Sequence, residues 1–358
     1  MSDVSTIVAF CAVSTALTVI LCSCARAFGH ATQLLDRPDG LLKLHAAETP
    51  LVGGLALLIP TFLVSTVYLL KFQDVPFMLV ALIAASITLV VGVIDDRIGV
   101  SPRWRLVALT VVVFGAFAAE PYFILRALRF AVRGYDFGIS LGWFAAPVTA
   151  LMIIGFVNAT NMADGMNGQL LGSVLIWSMF IVFYIGPETG MPFVAMITSG
   201  IVTLAYNLRG RLFSGSSGAY TVALFIGLGT IATYRTSGAV SAVEPILWFW
   251  LPVLDCLRLM ATRRLAGKSP FFGDRNHIHH ILQEYVRWPY ALFLYLVLLA
   301  APGTAALLTN DRLAGCIVLL LSIASYSAFV YLRRPVQSAD DLPGTVAPAA
   351  RSLVTLAE

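Results

Sequence analysis

The chain has 358 residues, of which 59% are hydrophobic and only 12% charged, with a formal net charge of +4. A soluble domain carries about a quarter charged residues, so a water-solvated globule is excluded and a chain solvated mainly by lipid is implied. Five cysteines (Cys11, Cys22, Cys24, Cys256, Cys316) lie in or beside apolar runs without metal-ligand spacing, which indicates neither a disulfide framework nor a zinc site.

Apolar runs of membrane length predict about eleven helices, at 5–28, 51–70, 75–94, 105–119, 141–157, 170–185, 192–208, 219–234, 243–261, 290–309 and 313–332. The chain therefore reads as an all-α, polytopic integral membrane protein. Ala25-Arg26-Ala27 resembles a signal-peptide cleavage site, but the preceding run is too long and follows Asp3 rather than Lys or Arg, so it is read as a permanent helix. Pro60, Pro147 and Pro252 fall inside spans, where neighbouring helices can absorb a kink. The two halves show no sequence repeat.

Orientation follows from the cations. With the N-terminus outside, roughly 17 of the 23 Lys and Arg residues fall on one side and 6 on the other, which makes the richer side cytoplasmic. The dissenting segment holds Arg126, Arg129 and Arg133 and is expected to lie amphipathically on the outer surface. The polar loops 34–50, 95–105, 158–168, 209–218 and 263–287 then all face the cytoplasm, and function is expected there. Residues 1–334 form one transmembrane domain; residues 335–358, rich in Pro, Ala, Asp, Ser and Thr, read as a disordered cytoplasmic tail.

In chain order, the first of these loops carries Asp36-Arg37-Pro38-Asp39-Gly40, then Lys43, His45 and Pro50-Leu51-Val52-Gly53-Gly54. Lys43 and His45 supply positive charge or protons. The glycine pair admits either a bound group or a neighbouring helix. Asp95-Asp96 closes the third span. Adjacent carboxylates at a helix C-terminus are unfavourable unless Arg97, Arg103, a metal or a proton-accepting role rewards them. The stretch 158–169 (Asn-Ala-Thr-Asn-Met-Ala-Asp-Gly-Met-Asn-Gly-Gln) sits between two spans. So many amides with little charge suit a polar ligand better than a plain turn. The basic loop 263–287 concentrates His277, His279 and His280 behind Arg275. Imidazoles at this spacing suit a transition metal, but without a completing ligand cluster, and beside Lys268 and Arg275, phosphate is the better match. Asp255 and Arg258, one turn apart near the inner boundary, are expected to satisfy each other.

Together these loops resemble the polyprenyl-phosphate N-acetylhexosamine-1-phosphate transferase superfamily (the WecA/MraY group), and within it the WecA-like branch, from about residue 36 to 287. Asp95-Asp96 matches its aspartate pair. Asn158, Asn161, Asp164, Gly165, Asn167 and Gly168 match its N-x-x-N-x-x-D-G-x-D/N-G segment. His277, His279 and His280 match its H-x-H-H loop, and 50–54 its first loop.

The resemblance implies transfer of a sugar-1-phosphate, GlcNAc-1-phosphate or a related N-acetylhexosamine, from a UDP-sugar to undecaprenyl phosphate. UMP is released, as the first step of a lipid-linked cell-envelope glycan such as lipopolysaccharide. It implies a bacterial inner-membrane enzyme using Mg²⁺, with Mn²⁺ as the alternative ion. Asp164 and Asp95 or Asp96 would lie at the metal, and Lys43, Arg275 and the three histidines at the phosphates. Phe213 and Asn167 would be at the uracil, with Asn158 and Asn161 in the same substrate-binding segment. Asp95 would orient or deprotonate the lipid phosphate, although a second phosphate pKa of about 6 makes a dedicated base unnecessary at neutral pH.

Partners are the two substrates and membrane lipid, with a homodimer as a further arrangement and no nucleic acid. One departure matters: where the family carries a metal-binding Asp in F-x-G-D-x-G, this chain has Ser216. A hydroxyl is a weaker ligand for a hard dication. The rival readings are therefore a catalytically impaired scaffold, or a lipid or solute transporter. Transporters usually place ionisable groups mid-membrane and often have related halves, and neither pattern is present in the sequence.

Overall fold

The computed structural model describes residues 4–37, 48–72, 76–271 and 274–332. Lys43, His45 and the whole of the 335–358 tail lie outside the described residues. The protein is a multi-pass helical membrane protein: among the described residues ten helices are long and apolar enough to cross a bilayer. Lipid offers no hydrogen-bond partners, so each span satisfies its backbone within its own helix.

The expected first span divides at Cys24 into α1 (Val4–Ser23) and a short α2 (Ala25–Thr32) carrying Arg26 and His30. Two short strands, β1 (Leu35–Asp36) and β2 (Thr49–Pro50), then pair antiparallel. The chain continues through α3 (Gly53–Phe72), α4 (Pro76–Ile98) and α5 (Pro102–Ala119). A hairpin of β3 (Ala127–Val132) and β4 (Tyr135–Ser140) follows. Next come α6 (Ala145–Ala163), α7 (Gln169–Thr189) and α8 (Met191–Asn207). The rest is α9 (Gly215–Thr236), α10 (Val243–Leu265), α11 (Ile278–Tyr285), α12 (Tyr290–Thr309) and α13 (Arg312–Tyr331). At 17 residues α8 is the short member of the bundle.

The segment holding Arg126–Arg133 differs from its expectation. It is a β-hairpin, because Leu128, Phe130 and Val132 alternate with Arg129 and Ala131 at a period of two, and Phe130 stacks on Phe137 across the pair at 5.2 Å. Its cations are spent on neighbours: Arg133 pairs with Asp311 at 2.6 Å, and Arg129 donates to the Gly238 carbonyl at 2.6 Å.

Helix α9 is the axis of the bundle, buried along almost its whole length and packed by α3, α4, α6 and α7. Its N-terminus is reached closely from two sides. A Cβ at Gly54 of α3 would lie 2.5 Å from the Gly218 Cα, and one at Gly92 of α4 would lie 2.8 Å from the Ser217 nitrogen. Gly53 and Gly54 also donate backbone N–H groups to the Phe213 and Ser214 carbonyls at 2.8 and 3.1 Å. The glycine pair thus serves helix packing. An aromatic cluster of Phe156, Trp177 and Phe249 joins α6, α7 and α10, with the Trp177 indole donating to the Trp248 carbonyl at 2.9 Å.

Candidate active site

The antiparallel order of the spans brings the C-terminal ends of α4, α6, α8 and α10 to the same end of the bundle as the N-terminus of α9. The two adjacent aspartates of α4 point apart there, because successive helix residues diverge by about 100°. Asp95 is buried and fully engaged. Its Oδ1 accepts from the Val100 N–H at 2.8 Å, and its Oδ2 from the Tyr220 hydroxyl at 2.9 Å, with Arg105 at 3.4 Å. The cation against the pair is thus Arg105, while Arg97 and Arg103 are exposed.

Asp96 turns to the first turn of α9. Its two oxygens accept the backbone N–H groups of Ser216 at 2.7 Å and Ser217 at 3.0 Å. Orphan amides at a helix N-terminus suit an anion, which offsets the unfavourable placement of Asp96 at the end of α4. Gly215 makes the approach possible with φ +69°, and a Cβ there would stand 2.5 Å from the Asp96 carboxylate. The Ser216 hydroxyl lies within hydrogen-bonding reach of Tyr220.

Asp164 closes α6 as its C-cap. Burial of its carboxyl, and then the charge of Asp96, pushes its pKa up to about 7. Asp164 and Asp96 are therefore close enough to repel. Among the described residues no three carboxylate, imidazole or thiol side chains form a ready metal cage. The donor set suits Mg²⁺ rather than zinc, since Mg²⁺ is usually bound by one or two carboxylates completed by substrate phosphate and water. Of the aspartate pair, it is Asp96 whose charge acts on Asp164.

The rest of the 158–169 stretch is divided. Asn158 bonds back to the Ile154 carbonyl at 2.8 Å within α6, and Asn161 offers its own carbonyl to the Asp164 N–H at 3.3 Å. The Asn167 carbonyl accepts from the Trp288 indole at 3.2 Å. Gly168 donates to Asn207 Oδ1 at 2.6 Å, and Asn207 Nδ2 donates in turn to the Leu212 carbonyl at 2.9 Å. Asn207, at the end of α8, thus ties the loop to the 208–214 turn.

The three histidines have separate environments. His277, the N-cap of α11, donates from Nδ1 to Asp255 at 2.9 Å and has Arg263 3.5 Å from Nε2. Asp255 also takes Arg258 at 2.7 Å, the Tyr326 hydroxyl at 2.8 Å and the Ile278 N–H at 3.3 Å. The expected Asp255–Arg258 pair is thus present and extended. Arg263 is bidentate to Asp274 at 3.0 and 3.1 Å. His277 is a clamp between α10 and α11, committed to Asp255.

His279 is 1% exposed, its ring stacked 5.4 Å from that of His277 and pressed onto Gly165. The Gln169 amide donates to its Nδ1 at 3.4 Å, which places the proton on Nε2, a buried atom without a protein partner. Burial, followed by the charges of His280 and His277, holds its pKa well below the usual imidazole range, so it is a neutral donor. Burial and Arg275 likewise lower His280 to about 4. Arg275 itself is exposed. Phe213 is half-buried, with its backbone laddered to Pro50 and Gly53 at 2.8 Å each.

The structure therefore sets Asp96 on the Ser216 and Ser217 amides and the His279 ring on Gly165, the residue after Asp164, and turns Asp95, His277 and Asn158 into supports. Sequence reading missed Arg105, Tyr220, Asn207 and Trp288. Of these, only Asn207 and Tyr220 carried a local signal, as polar groups at the ends of apolar runs.

Residues 78–234 match the family model described as Glycosyl transferase family 4. A Yersinia pestis protein named undecaprenyl-phosphate alpha-N-acetylglucosaminyl 1-phosphate transferase is 30% identical over 263 residues, covering 70% of each chain. The chain belongs to glycosyl transferase family 4. A Salmonella typhi protein of the same name is 28% identical to this family 4 chain over 282 residues, 75% of it and 74% of the relative. A Bacillus subtilis protein named as a probable undecaprenyl-phosphate N-acetylglucosaminyl 1-phosphate transferase is 28% identical over 267 residues, 70% of each. The family model spans α4 to α9, the elements that carry both aspartates, Asp164 and Ser216.

Proposed function

We propose that this family 4 member transfers an N-acetylhexosamine-1-phosphate, GlcNAc-1-phosphate being the first candidate, from a UDP-sugar to undecaprenyl phosphate. The observation that supports the reading is the desolvated Asp164, on which the charge of Asp96 acts, followed directly by Gly165, against which the unpartnered Nε2 of His279 rests. An oxygen of the lipid phosphate attacks the sugar-linked phosphorus, and the bond to the bridging oxygen breaks, so that UMP leaves. Both reactants are anions, so the barrier is largely repulsion and alignment.

Asp96 and Asp164 would hold Mg²⁺, which when bound neutralises diphosphate charge and orients it. His279 donates from Nε2 to a phosphate oxygen, and Arg275 adds positive charge at the rim. Asp95 is bound to Tyr220 and Arg105, so it positions α4, α5 and α9 rather than taking a proton. The lipid phosphate, with its second pKa of about 6, attacks already ionised. The site faces the cytoplasm of the inner membrane with the N-terminus outside, because its end of the bundle carries most of the Lys and Arg.

The test is lipid-linked product from UDP-GlcNAc and undecaprenyl phosphate in membranes containing the protein. The wild type should form labelled lipid and UMP with Mg²⁺ and neither in EDTA, and Asp164→Asn should abolish both. Ser216 favours one competing reading, a silent scaffold. If the wild type is inert with Mg²⁺ and Ser216→Asp is active, the natural chain is that scaffold.

A further inference from the structure

Helices α6, α7, α10 and α12 leave a small cavity against Asp164, of about 10 Å³, lined by Thr160, Gln169 and Tyr295 among mostly apolar neighbours. Roughly 10–15 Å³ is the least that admits one water, and a cavity of that size takes one only if its walls are polar. Thr160, Gln169 and Tyr295 are each at most 2% exposed, so nothing outside the bundle reaches them.

The polar atoms on these walls are unspent. A buried hydroxyl in a membrane helix has one ready partner, the carbonyl four residues earlier. Thr149 on α6 uses it at 2.6 Å, and Ser173 on α7 at 2.8 Å. Thr160 does not: its Oγ1 is buried without a partner and lines the cavity. Gln169 Oε1 is a second buried, unpartnered oxygen on the same lining. The nitrogen of that amide is turned to His279 Nδ1 at 3.4 Å, and the amide is in reach of the Tyr295 hydroxyl. A carboxamide oxygen only accepts, whereas a hydroxyl donates or accepts. Left dry, both oxygens carry a desolvation cost with nothing to offset it. One water that accepts from Thr160, donates to Gln169 Oε1 and donates to the Asp164 carboxyl satisfies all three, within the about two to four partners a buried water makes.

We propose that this cavity holds one ordered water, bound by Thr160 and Gln169, that fixes the Asp164 carboxyl. Gln169 is then the side chain that meets both halves of the centre, His279 directly and Asp164 through the water. Thr160 and Gln169 are positioning residues and touch no substrate. The water site stands on the cavity and its unspent oxygens; its effect on turnover rests on the transferase reading.

The experiment compares full-length wild type with Thr160→Val, Thr160→Ser, Gln169→Met and Ser178→Ala, by thermal unfolding in detergent and by turnover of UDP-GlcNAc. A crystal structure of the wild type at a resolution that shows ordered waters completes it. Density should lie about 2.8 Å from both Thr160 Oγ1 and Gln169 Oε1. Ser178 supplies the control, since its hydroxyl on α7 is also buried and unpartnered but does not line this cavity. Ser178→Ala should keep wild-type kcat and leave the unfolding midpoint unchanged or raised. Thr160→Val keeps the shape and removes only the hydroxyl, so its midpoint should fall. Its kcat, and that of Gln169→Met, should drop about tenfold or more with KM for UDP-GlcNAc within about twofold, as when a group that orients a ligating side chain is lost. Thr160→Ser should recover most of the loss. No density in the wild type, or a Thr160→Val midpoint that rises, would overturn the water site. Density with wild-type kcat in Thr160→Val and Gln169→Met would overturn the positioning role. A wild type without turnover would refute the transferase reading, and density and midpoint would still decide the water site.

Discussion

Replacing Gly165 with alanine tests the contact on which the centre is built. The added Cβ would stand 2.7 Å from His279 Cε1 and nearer still to Nε2, whereas ordinary contact begins at 3.4 Å. The ring must therefore retreat by more than about 0.7 Å, and it has little room, being 1% exposed with the His280 ring 4.2 Å away between centroids. Overpacking of this kind costs about 1–3 kcal/mol. A catalytic group displaced by about 1 Å commonly loses on the order of 100-fold in rate. Gly165 does not lie in the left-handed region, so the effect is purely steric. The assay pairs thermal unfolding in detergent with turnover to lipid-linked product. Gly155→Ala, in the same helix as Asp164's cap and with nothing within 4 Å of its added Cβ, should leave both unchanged or slightly raise stability. Wild-type turnover in Gly165→Ala would refute the placement of His279 at the reacting phosphates.

Two further outcomes follow from charge. Because the folded protein holds the Asp164 proton up to about pH 7, against about 4 when unfolded, its contribution to stability falls as pH rises between those values. A divalent cation must displace that proton below pH 7. The ionised fraction rises from about 10% at pH 6 to about 90% at pH 8, so apparent Mg²⁺ affinity should rise about ninefold. A Mg²⁺-induced thermal shift that is equal at both pH values, or that persists in Asp164→Asn, would contradict this. Asp255→Asn should lower the unfolding midpoint strongly, since breaking a buried ion pair costs about 3–5 kcal/mol. In the same network His277→Asn, able to cap α11 from that position, should retain more turnover than His279→Asn; equal kcat losses would remove the clamp role from His277.

The elements of this bundle were legible because lipid solvation writes itself into composition. A run such as 243–261 has to be helical, and its length nearly sets its limits, observed at Val243–Leu265. The hairpin at 127–140 was less legible, since its period-two pattern is short and its basic residues drew attention to charge. The motif positions around Asp96, Asp164 and His279 could be picked out because dense amides, paired acids and clustered imidazoles are costly at a membrane edge without a purpose.

What the one-dimensional chain determined is which residues are unusual for their surroundings, and hence the class of protein and the loops in which its motifs gather. Only the tertiary structure decided which member of each cluster does what. Asp95 and Asp96 are neighbours in sequence, yet one meets Tyr220 and the other the amides of α9. His277 and His279 are two residues apart, yet one is consumed by Asp255 and the other points at Gly165. Helical geometry separates adjacent side chains by about 100°, so the partners of Asp95 and Asp96 on α9 lie more than a hundred residues away, and no local pattern records them.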